Sequence, residues 1–180
     1  KHLLVEKPLC IDEDELDAIA AALKERSDAP AIMVGHNRRY SEHARQIRNW
    51  LSGRTTPLVF SFRINAGYVP PNHWVHKEEQ GRSRIVGECS HFVDLAVALA
   101  GSHVVAVQAA RVASEGESLV PNDNICVTLK LADGSVGTIV YCAEGPRTLE
   151  RERFEFFWEK KAIISTDFRQ TQLFGPEKTE

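Results

Sequence analysis

The C-terminal half of the chain contains strand-like segments that follow one another with only short connections. They read HVVAVQAARV, NICVTLKLADGSVGTIVYCA, RERFEFFWEKKAIISTDF and TQLF. In the second segment, Asp133-Gly134 is flanked by alternating apolar residues, a strong signal of a β-hairpin. Runs of consecutive strands favour an antiparallel or mixed sheet with helices gathered on one face. The sequence therefore predicts an α+β fold with helices packed on one face of the sheet.

The first third of the chain alternates strand-like and helical segments. Residues 3–6 are strand-like, and residues 31–35 (AIMVG) predict a buried strand. Asp12 is a candidate N-cap for the intervening helix, with Glu15 three residues on as in a capping box. Ser41 is the equivalent candidate for a second helix, which ends near residue 53.

The middle of the chain predicts a strand, a long loop and a helix. Residues 57–65 predict the strand, and residues 85–100 predict one strongly apolar helix ended by Gly101. The intervening residues 66–84 have neither helical nor strand periodicity, and loops of that length are usually functional or disordered. Interleaved aromatic side chains predict an ordered, functional loop here; they are Tyr68, His73, Trp74 and His76.

Composition excludes several classes of partner. The chain has 180 residues, of which 43% are hydrophobic and 26% charged, with a formal net charge of −3. Nucleic-acid and membrane binding usually require a basic excess, so neither partner is expected. The four cysteines form no CxxC pair, which predicts reduced thiols in a cytoplasmic protein. His73-x-x-His76 and Cys89-x-His91 match no common zinc module, so no metal is expected.

Two short stretches could carry chemistry. Lys7 lies between Glu6 and Pro8 at the exit of the first strand, where a proline can host a cis bond and fix the direction of the lysine. His91 lies in an apolar helix near Glu88 and Asp94, and histidine is the natural general base at neutral pH. A solvated surface lysine and a core histidine paired with an acid are the alternatives.

Arg38, Arg39 and Tyr40 follow the predicted buried strand and precede a helix. Loops at strand ends commonly line ligand clefts, where an arginine can bind hydroxyls, a carboxylate or a phosphate. Surface salt bridges are the alternative for these arginines.

Five segments in order resemble one family. KHLLVEKPL, MVGHNRRYSEHA, INAGYVPPNHW, GECSHFVDLAVALAG and DGSVGTIVY are similar to the C-terminal part of the glucose-fructose oxidoreductase / inositol dehydrogenase / MocA family. The resemblance covers nearly the whole chain. It implies that residues 1–8 are the last strand and seam of a Rossmann domain that binds NAD or NADP. Residues 9–180 would form the C-terminal α/β domain for substrate binding and oligomerisation, built on a large, mostly antiparallel (mixed) sheet.

The resemblance also implies residue roles. Lys7, with Glu6 and Pro8, would lie beside the nicotinamide, and His91 would act as the base on a substrate hydroxyl. Many members have an aspartate four residues before that histidine, whereas this chain has Gly87 there and Glu88 one residue later. Whether Glu88 takes over the role is left open. The segments that face the substrate would supply Arg38, Arg39, Tyr40, Asn65, Tyr68, His73, Trp74 and Asp94.

The implied function is hydride transfer from a secondary hydroxyl of a sugar, nucleotide sugar or cyclitol to NAD(P), with this chain alone inactive. A non-catalytic module for sugar binding or dimerisation is the alternative. Apolar residues on both faces of the C-terminal strands predict a homo-oligomer formed through the sheet. The WEKKA segment departs from the glycine-rich turn usual at that hairpin, which puts the geometry of the turn in doubt.

Overall fold

A computed structural model describes residues 2–77, 83–113 and 120–175 of the chain. Part of the predicted 66–84 loop, residues 78–82, lies outside the described residues.

Seven strands form one large sheet. They are β3 (Val59–Asn65), β4 (Val104–Arg111), β5 (Ile125–Leu131), β6 (Val136–Cys142), β7 (Glu152–Trp158), β8 (Lys161–Thr166) and β9 (Gln170–Phe174). Their order is β4-β5-β6-β3-β7-β8-β9, with β3 and β6 parallel and every other neighbouring pair antiparallel. The predicted α+β class and the mostly antiparallel sheet are confirmed.

Two helices, α2 (Glu42–Leu51) and α3 (Ser90–Ala100), pack with one face of this sheet around a common core. The strands supply alternate residues to that core, as a period of two requires. The centre is aromatic: the ring centroids of Phe62 and Phe154 lie 4.8 Å apart and those of Phe62 and Phe156 lie 5.5 Å apart. We call the seven strands with α2 and α3 the sheet body.

The first strands form a separate, smaller sheet. Strand β1 (Leu3–Val5) pairs in parallel with β2 (Ile32–Val34), and helix α1 (Glu13–Lys24) connects them. The predicted cap is confirmed, since Asp12 Oδ1 accepts a hydrogen bond from the Glu15 backbone N–H at 2.9 Å. The prediction that β2 is buried is wrong: it has only β1 as a neighbour, and none of its residues is buried. We call β1, α1 and β2 the N-terminal unit.

The helix predicted over residues 85–100 does not begin as a regular α-helix. Residues Ile85–Cys89 form a π-helical turn, and the regular α3 starts only at Ser90. The helix ends as predicted, with Gly101 in the left-handed conformation at φ 67°. A π turn contains one residue more than an α turn. Gly87 and Glu88 therefore have a different orientation relative to His91 from the one that a regular helix would give them. Such turns are frequent at functional sites.

The two hairpin turns differ: the β5–β6 turn has a glycine at its positive φ, whereas the β7–β8 turn has none. Gly134 has φ 89° in the predicted Asp133-Gly134 turn between β5 and β6. Between β7 and β8, Glu159 and Lys160 have φ 45° and 60°, a conformation that glycine or asparagine adopts more easily. The Glu159 carboxylate accepts hydrogen bonds from the backbone N–H and hydroxyl of Thr55 at 2.7 and 2.8 Å. These bonds help to hold the unfavourable turn.

Candidate active site

Lys7 connects the N-terminal unit to the π-helical turn of the sheet body. Its Nζ donates a hydrogen bond to the Gly87 carbonyl at 2.7 Å, and the side chain is partly buried. The Lys7–Pro8 peptide bond is cis. The bond to Gly87 holds the lysine beside the turn from which α3 begins. Lys7 therefore lies close in space to the helix that carries His91, although 83 residues separate the two along the chain.

His91 is almost fully buried near the start of α3, with 6% of its surface exposed. The His36 ring, from the loop after β2, packs edge-on against it with centroids 5.3 Å apart. Nδ1 is buried in both rings and has no hydrogen-bond partner in either. Burial, together with the charges of Arg38 and Lys7, lowers the pKa of His91 to about 4. His91 is therefore neutral at neutral pH, with a free lone pair on one ring nitrogen.

Glu88 lies three residues before His91, as Asp94 lies three residues after it, and Glu88 is held by the sheet body. The Tyr141 hydroxyl donates to Glu88 Oε2 at 2.6 Å, and Arg84 Nη2 donates to the same oxygen at 3.2 Å. Burial alone would raise the pKa of Glu88, but the Tyr141 hydrogen bond and the charge of Arg84 lower it below its ordinary value. Glu88 is thus an ionised carboxylate, which favours protonation of His91 electrostatically.

Arg84 is the centre of a buried polar network behind Glu88. Its guanidinium donates to the Gly67 carbonyl at 2.7 Å and to Asp123 Oδ2 at 3.3 Å. Asp123 is fully buried, and burial raises the pKa of its carboxyl despite the nearby charge of Arg84. His76 Nε2 lies 3.7 Å from the same Asp123 oxygen. The network ties the start and end of the 66–84 loop to Glu88.

The structure places the predicted arginines in ion pairs. Arg38 Nη2 and Nε donate to the two oxygens of Glu152 at 2.6 and 3.1 Å, and its guanidinium stacks over the Phe92 ring at 4.7 Å. Arg39 binds both oxygens of Asp94 at 2.5 and 2.7 Å. Arg39 and Asp94 thus join the loop to α3, and a substrate contact by either stays a prediction.

The remaining predicted substrate residues do not form one cluster with His91. Asn65 is buried at the end of β3, where its Nδ2 donates to the Pro146 carbonyl at 2.8 Å. Tyr40, Tyr68 and Trp74 are each more than half exposed. His73 is exposed too and caps the short helical turn Trp74–His76. The roles of these residues in substrate binding stay predictions.

Sequence reasoning missed three residues near this site: His36, Tyr141 and Arg151. Tyr141 and Arg151 both contact Glu88, the latter at 3.8 Å. A histidine within HNRRY was a visible signal, because only Asn37 separates it from the two arginines. No local signal marked Tyr141 or Arg151, since only the sheet brings them to Glu88 from 53 and 63 residues away.

Residues 2–77, 83–113 and 120–175 contain no group of three or more His, Cys, Asp or Glu side chains that could hold a metal ion. Across the same described segments, no helix is both long and apolar enough to cross a bilayer.

Residues 44–164 match the GFO/IDH/MocA C-terminal domain, which is most of the chain. The chain belongs to the GFO/IDH/MocA family. The resemblance noted in the sequence is therefore confirmed. A search of curated proteins found no match.

Solved oxidoreductases share the GFO/IDH/MocA C-terminal fold seen here. An oxidoreductase domain protein from Kribbella flavida is 18% identical, covers 97% of this chain and superposes with a TM-score of 0.80. UDP-N-acetylglucosamine 3-dehydrogenase from Acidithiobacillus ferrooxidans is 22% identical over 97% of the chain, with a TM-score of 0.74. Levoglucosan dehydrogenase in complex with NADH and levoglucosan is 20% identical over 99%, with a TM-score of 0.77. The chain spans 52%, 53% and 52% of these proteins, about half of each.

Proposed function

We propose that this chain is the substrate-binding and catalytic half of an NAD(P)-dependent oxidoreductase that oxidises a secondary hydroxyl of a sugar, nucleotide sugar or cyclitol. The observation that carries the proposal is the hydrogen bond from Lys7 to the Gly87 carbonyl, four residues before the buried, neutral His91. A cationic donor and a neutral imidazole so placed are the two groups that oxidation of an alcohol needs. Solved relatives whose names include sugar dehydrogenases support the choice of substrate.

The residues fit only one end of a dinucleotide. The sequence contains no GxGxxG, so this chain supplies no glycine-rich cradle for a pyrophosphate. Lys7 donates only one hydrogen bond within the described residues, to Gly87, and an ammonium has three N–H groups. We infer that Glu6, Lys7 and Pro8 face the nicotinamide end of NAD or NADP, which accepts the hydride when bound.

The chain's own residues would then handle the oxygen and the proton. The Lys7 ammonium donates to the substrate oxygen and stabilises the negative charge that develops there. The unprotonated nitrogen of His91 accepts the hydroxyl proton, which its low pKa leaves it free to do. The ionised Glu88 stabilises the imidazolium that forms, and Tyr141 and Arg84 hold Glu88 in place. In this mechanism Glu88 provides charge and does not itself carry the proton.

The N-terminal unit has a surface suited to a dinucleotide-binding domain. Leu4 is 73% exposed, and Leu16 and Met33 are each 45% exposed. Exposed apolar side chains on a small two-stranded sheet are costly unless another part of a protein covers them. We infer that β1, α1 and β2 complete a Rossmann domain, with Lys7 at the seam to the substrate half.

The test assays the chain joined to its dinucleotide-binding domain. NAD(P) reduction is followed with a panel of nucleotide sugars, free sugars and cyclitols, for the unaltered protein, Lys7→Met and His91→Gln. The expected result is a loss of kcat of at least about 100-fold in each variant, the usual contribution of a positioned acid or base. Lys24→Met, in the exposed last turn of α1, is the matched control. Wild-type rates in both site variants would instead support a non-catalytic sugar-binding module.

The open face of the large sheet supports a homo-oligomer. Val136, Val59, Phe157, Ala162 and Phe174 are cross-strand neighbours in one row, on the face opposite to the core. Val59 is 60% exposed, and Phe157 and Phe174 are 43% and 46% exposed. We infer that a second copy covers this row. Val59→Glu should convert the oligomer into a monomer by sedimentation, whereas a strict monomer of the unaltered chain at high concentration would contradict the inference.

The four cysteines are free thiols, which supports a reducing compartment; we infer a cytoplasmic location.

A further inference from the structure

Two pockets share one arginine, Arg151. The wider pocket, of about 470 Å³, is lined by Asn37, Arg38, Arg151, Glu152, Asp167 and Arg169, among others. The narrower one, of about 280 Å³, is lined by Asn65, Tyr68, Gly145, Arg147 and Arg151, among others. Arg151 lies between them and also approaches Glu88 at 3.8 Å. A ligand bound by Arg151 in either pocket would therefore be one side chain away from Glu88.

The charge of these pockets is opposite to that of the chain. The lining of the narrower pocket includes two arginines and no carboxylate. That of the wider pocket includes three arginines and two carboxylates. The chain as a whole has a net charge of −3, so the positive charge is concentrated locally. Local concentration of one charge in a cleft attracts ligands of the opposite sign.

Among the described residues, neither carboxylate of the wider pocket forms an ion pair with Arg151 or Arg169. Both oxygens of Glu152 are bound by Arg38. Asp167 Oδ1 accepts the backbone N–H of Glu152 at 2.7 Å. Neither Arg147 nor Arg169 forms an ion pair or side-chain hydrogen bond with any residue in the described part of the chain. Their guanidinium groups are thus available to a ligand.

Arg151 is equally available. Its side chain is 58% exposed, and Glu88, its ion-pair partner among the described residues, already accepts shorter hydrogen bonds from Tyr141 and Arg84. A guanidinium with free N–H groups binds a phosphate or carboxylate through two parallel hydrogen bonds.

Asn65 forms part of the wall of the narrower pocket. Asn65 is 92% buried by its 8% exposure, and its Oδ1 is buried with no hydrogen-bond partner. This oxygen faces Gly145, where a Cβ would lie 2.2 Å from it. The Asn65 side chain thus fills the space above Gly145 and shapes the wall of the pocket.

We propose that Arg147, Arg151 and Arg169 bind an anionic group of the substrate, which is therefore a phosphorylated or carboxylated sugar and not a neutral one. This inference rests on the proposed function, because it places the anion on the substrate of that same site. The shared chemistry is a phosphate or carboxylate oxygen. Phosphate of a sugar phosphate, diphosphate of a nucleotide sugar and carboxylate of a uronate are its possible sources.

The test measures binding to this chain by calorimetry, without any cofactor. The probes are glucose, glucuronate, glucose 1-phosphate and UDP-glucose at fixed ionic strength. The expected result is at least about tenfold tighter binding of one or more anionic probes than of glucose, the gain from one charged hydrogen bond. The probe that binds most tightly identifies the source of the anion. Binding should weaken as salt is added.

Matched substitutions locate the effect. Arg151→Gln should lower the affinity for the preferred anionic probe about tenfold and leave that for glucose unchanged. Arg147→Gln and Arg169→Gln show which pocket holds the anion. Arg48→Gln is the control, because Arg48 is also exposed and lies on α2, outside both linings.

Two results would overturn the proposal: anionic probes that bind no more tightly than glucose, or affinities unchanged in all three pocket variants. Because binding is measured without turnover, its outcome is separate from that of the Lys7 and His91 kinetics. Anion selectivity with no loss of rate in Lys7→Met and His91→Gln would keep this inference and reject the catalytic roles.

Discussion

The N-terminal unit and the sheet body both contain many apolar residues but use them in opposite ways. In the sheet body, Phe60, Phe62, Phe154 and Phe156 are at most 2% exposed. In the N-terminal unit, by contrast, no residue of β1, α1 or β2 is buried. A two-stranded sheet with one helix cannot enclose its own apolar side chains, whereas seven strands with two helices can. The comparison indicates that the sheet body provides its own stability and that the N-terminal unit depends on a neighbour.

The largest expected effect tests that contrast directly. Phe62→Ala, at the centre of the aromatic core, should lower the free energy of unfolding by about 3–5 kcal/mol, because it leaves a cavity among packed rings. Leu4→Ala in the N-terminal unit should change it by less than about 0.5 kcal/mol. Urea denaturation of both variants measures the difference. Equal losses would show that the N-terminal unit has a core of its own.

A second pair of variants compares ion pairs in the two regions. Arg84→Met removes the partner of the buried Asp123 and should cost about 3–5 kcal/mol of unfolding free energy. Arg26→Met breaks an exposed pair with Asp28 in the N-terminal unit and should cost less than about 1 kcal/mol. Thermal and urea unfolding of the two variants provide the values. A small effect of Arg84→Met would mean that Asp123 is protonated when alone.

The sheet body also contains strain that can be relieved. Lys160→Gly places a residue without a Cβ at φ 60° in the β7–β8 turn and should stabilise the fold by about 1 kcal/mol. Ala18→Gly, in the exposed interior of helix α1, should have the opposite sign, since glycine destabilises a helix by a similar amount. A shift of both melting temperatures in the same direction would contradict this account of the turn.

The smallest predicted effect is electrostatic and concerns the influence of Lys7, which follows β1, on the pKa of His91 in α3. The charge of Lys7 helps to lower the pKa of His91 to about 4, so Lys7→Met should raise that pKa by less than about one unit. Histidine NMR titration of the two proteins measures the shift, with Lys24→Met as control. An unchanged His91 pKa would place Lys7 farther from His91 than the bond to Gly87 indicates.

The depressed pKa of His91 also has a consequence for stability. The unfolded chain binds this proton at an ordinary pKa near 6.5, well above the folded value. The contribution of neutral His91 is therefore complete above pH 6.5 and declines as the pH falls toward 4. His91→Gln should reduce the loss of stability across that window, and urea unfolding at pH 7 and pH 4.5 checks it.

Local patterns predicted much of the fold because local physics decides it. Asp12 and Ser41 were identified as helix caps since a side-chain oxygen next to a helical period has few other roles, and both accept the expected backbone N–H. The Asp133-Gly134 hairpin followed from turn chemistry in the same way. The burial of β2 was predicted wrongly because an apolar run shows what a strand can bury, while its neighbours decide what it does bury.

The residues of the candidate site also form two groups: those that the sequence identified and those that only the tertiary structure brought together. The sequence by itself identified Lys7, Glu88 and His91 as candidates, through an unusual EKP seam and polar residues within an apolar helix. Only the tertiary structure brought His36 to His91, and Tyr141 and Arg151 to Glu88. It also engaged Arg39 with Asp94 and left Arg147 and Arg169 unpaired among the described residues. The physical reason is that pairing of charges depends on distances set by strand register and helix packing, which no local sequence pattern encodes.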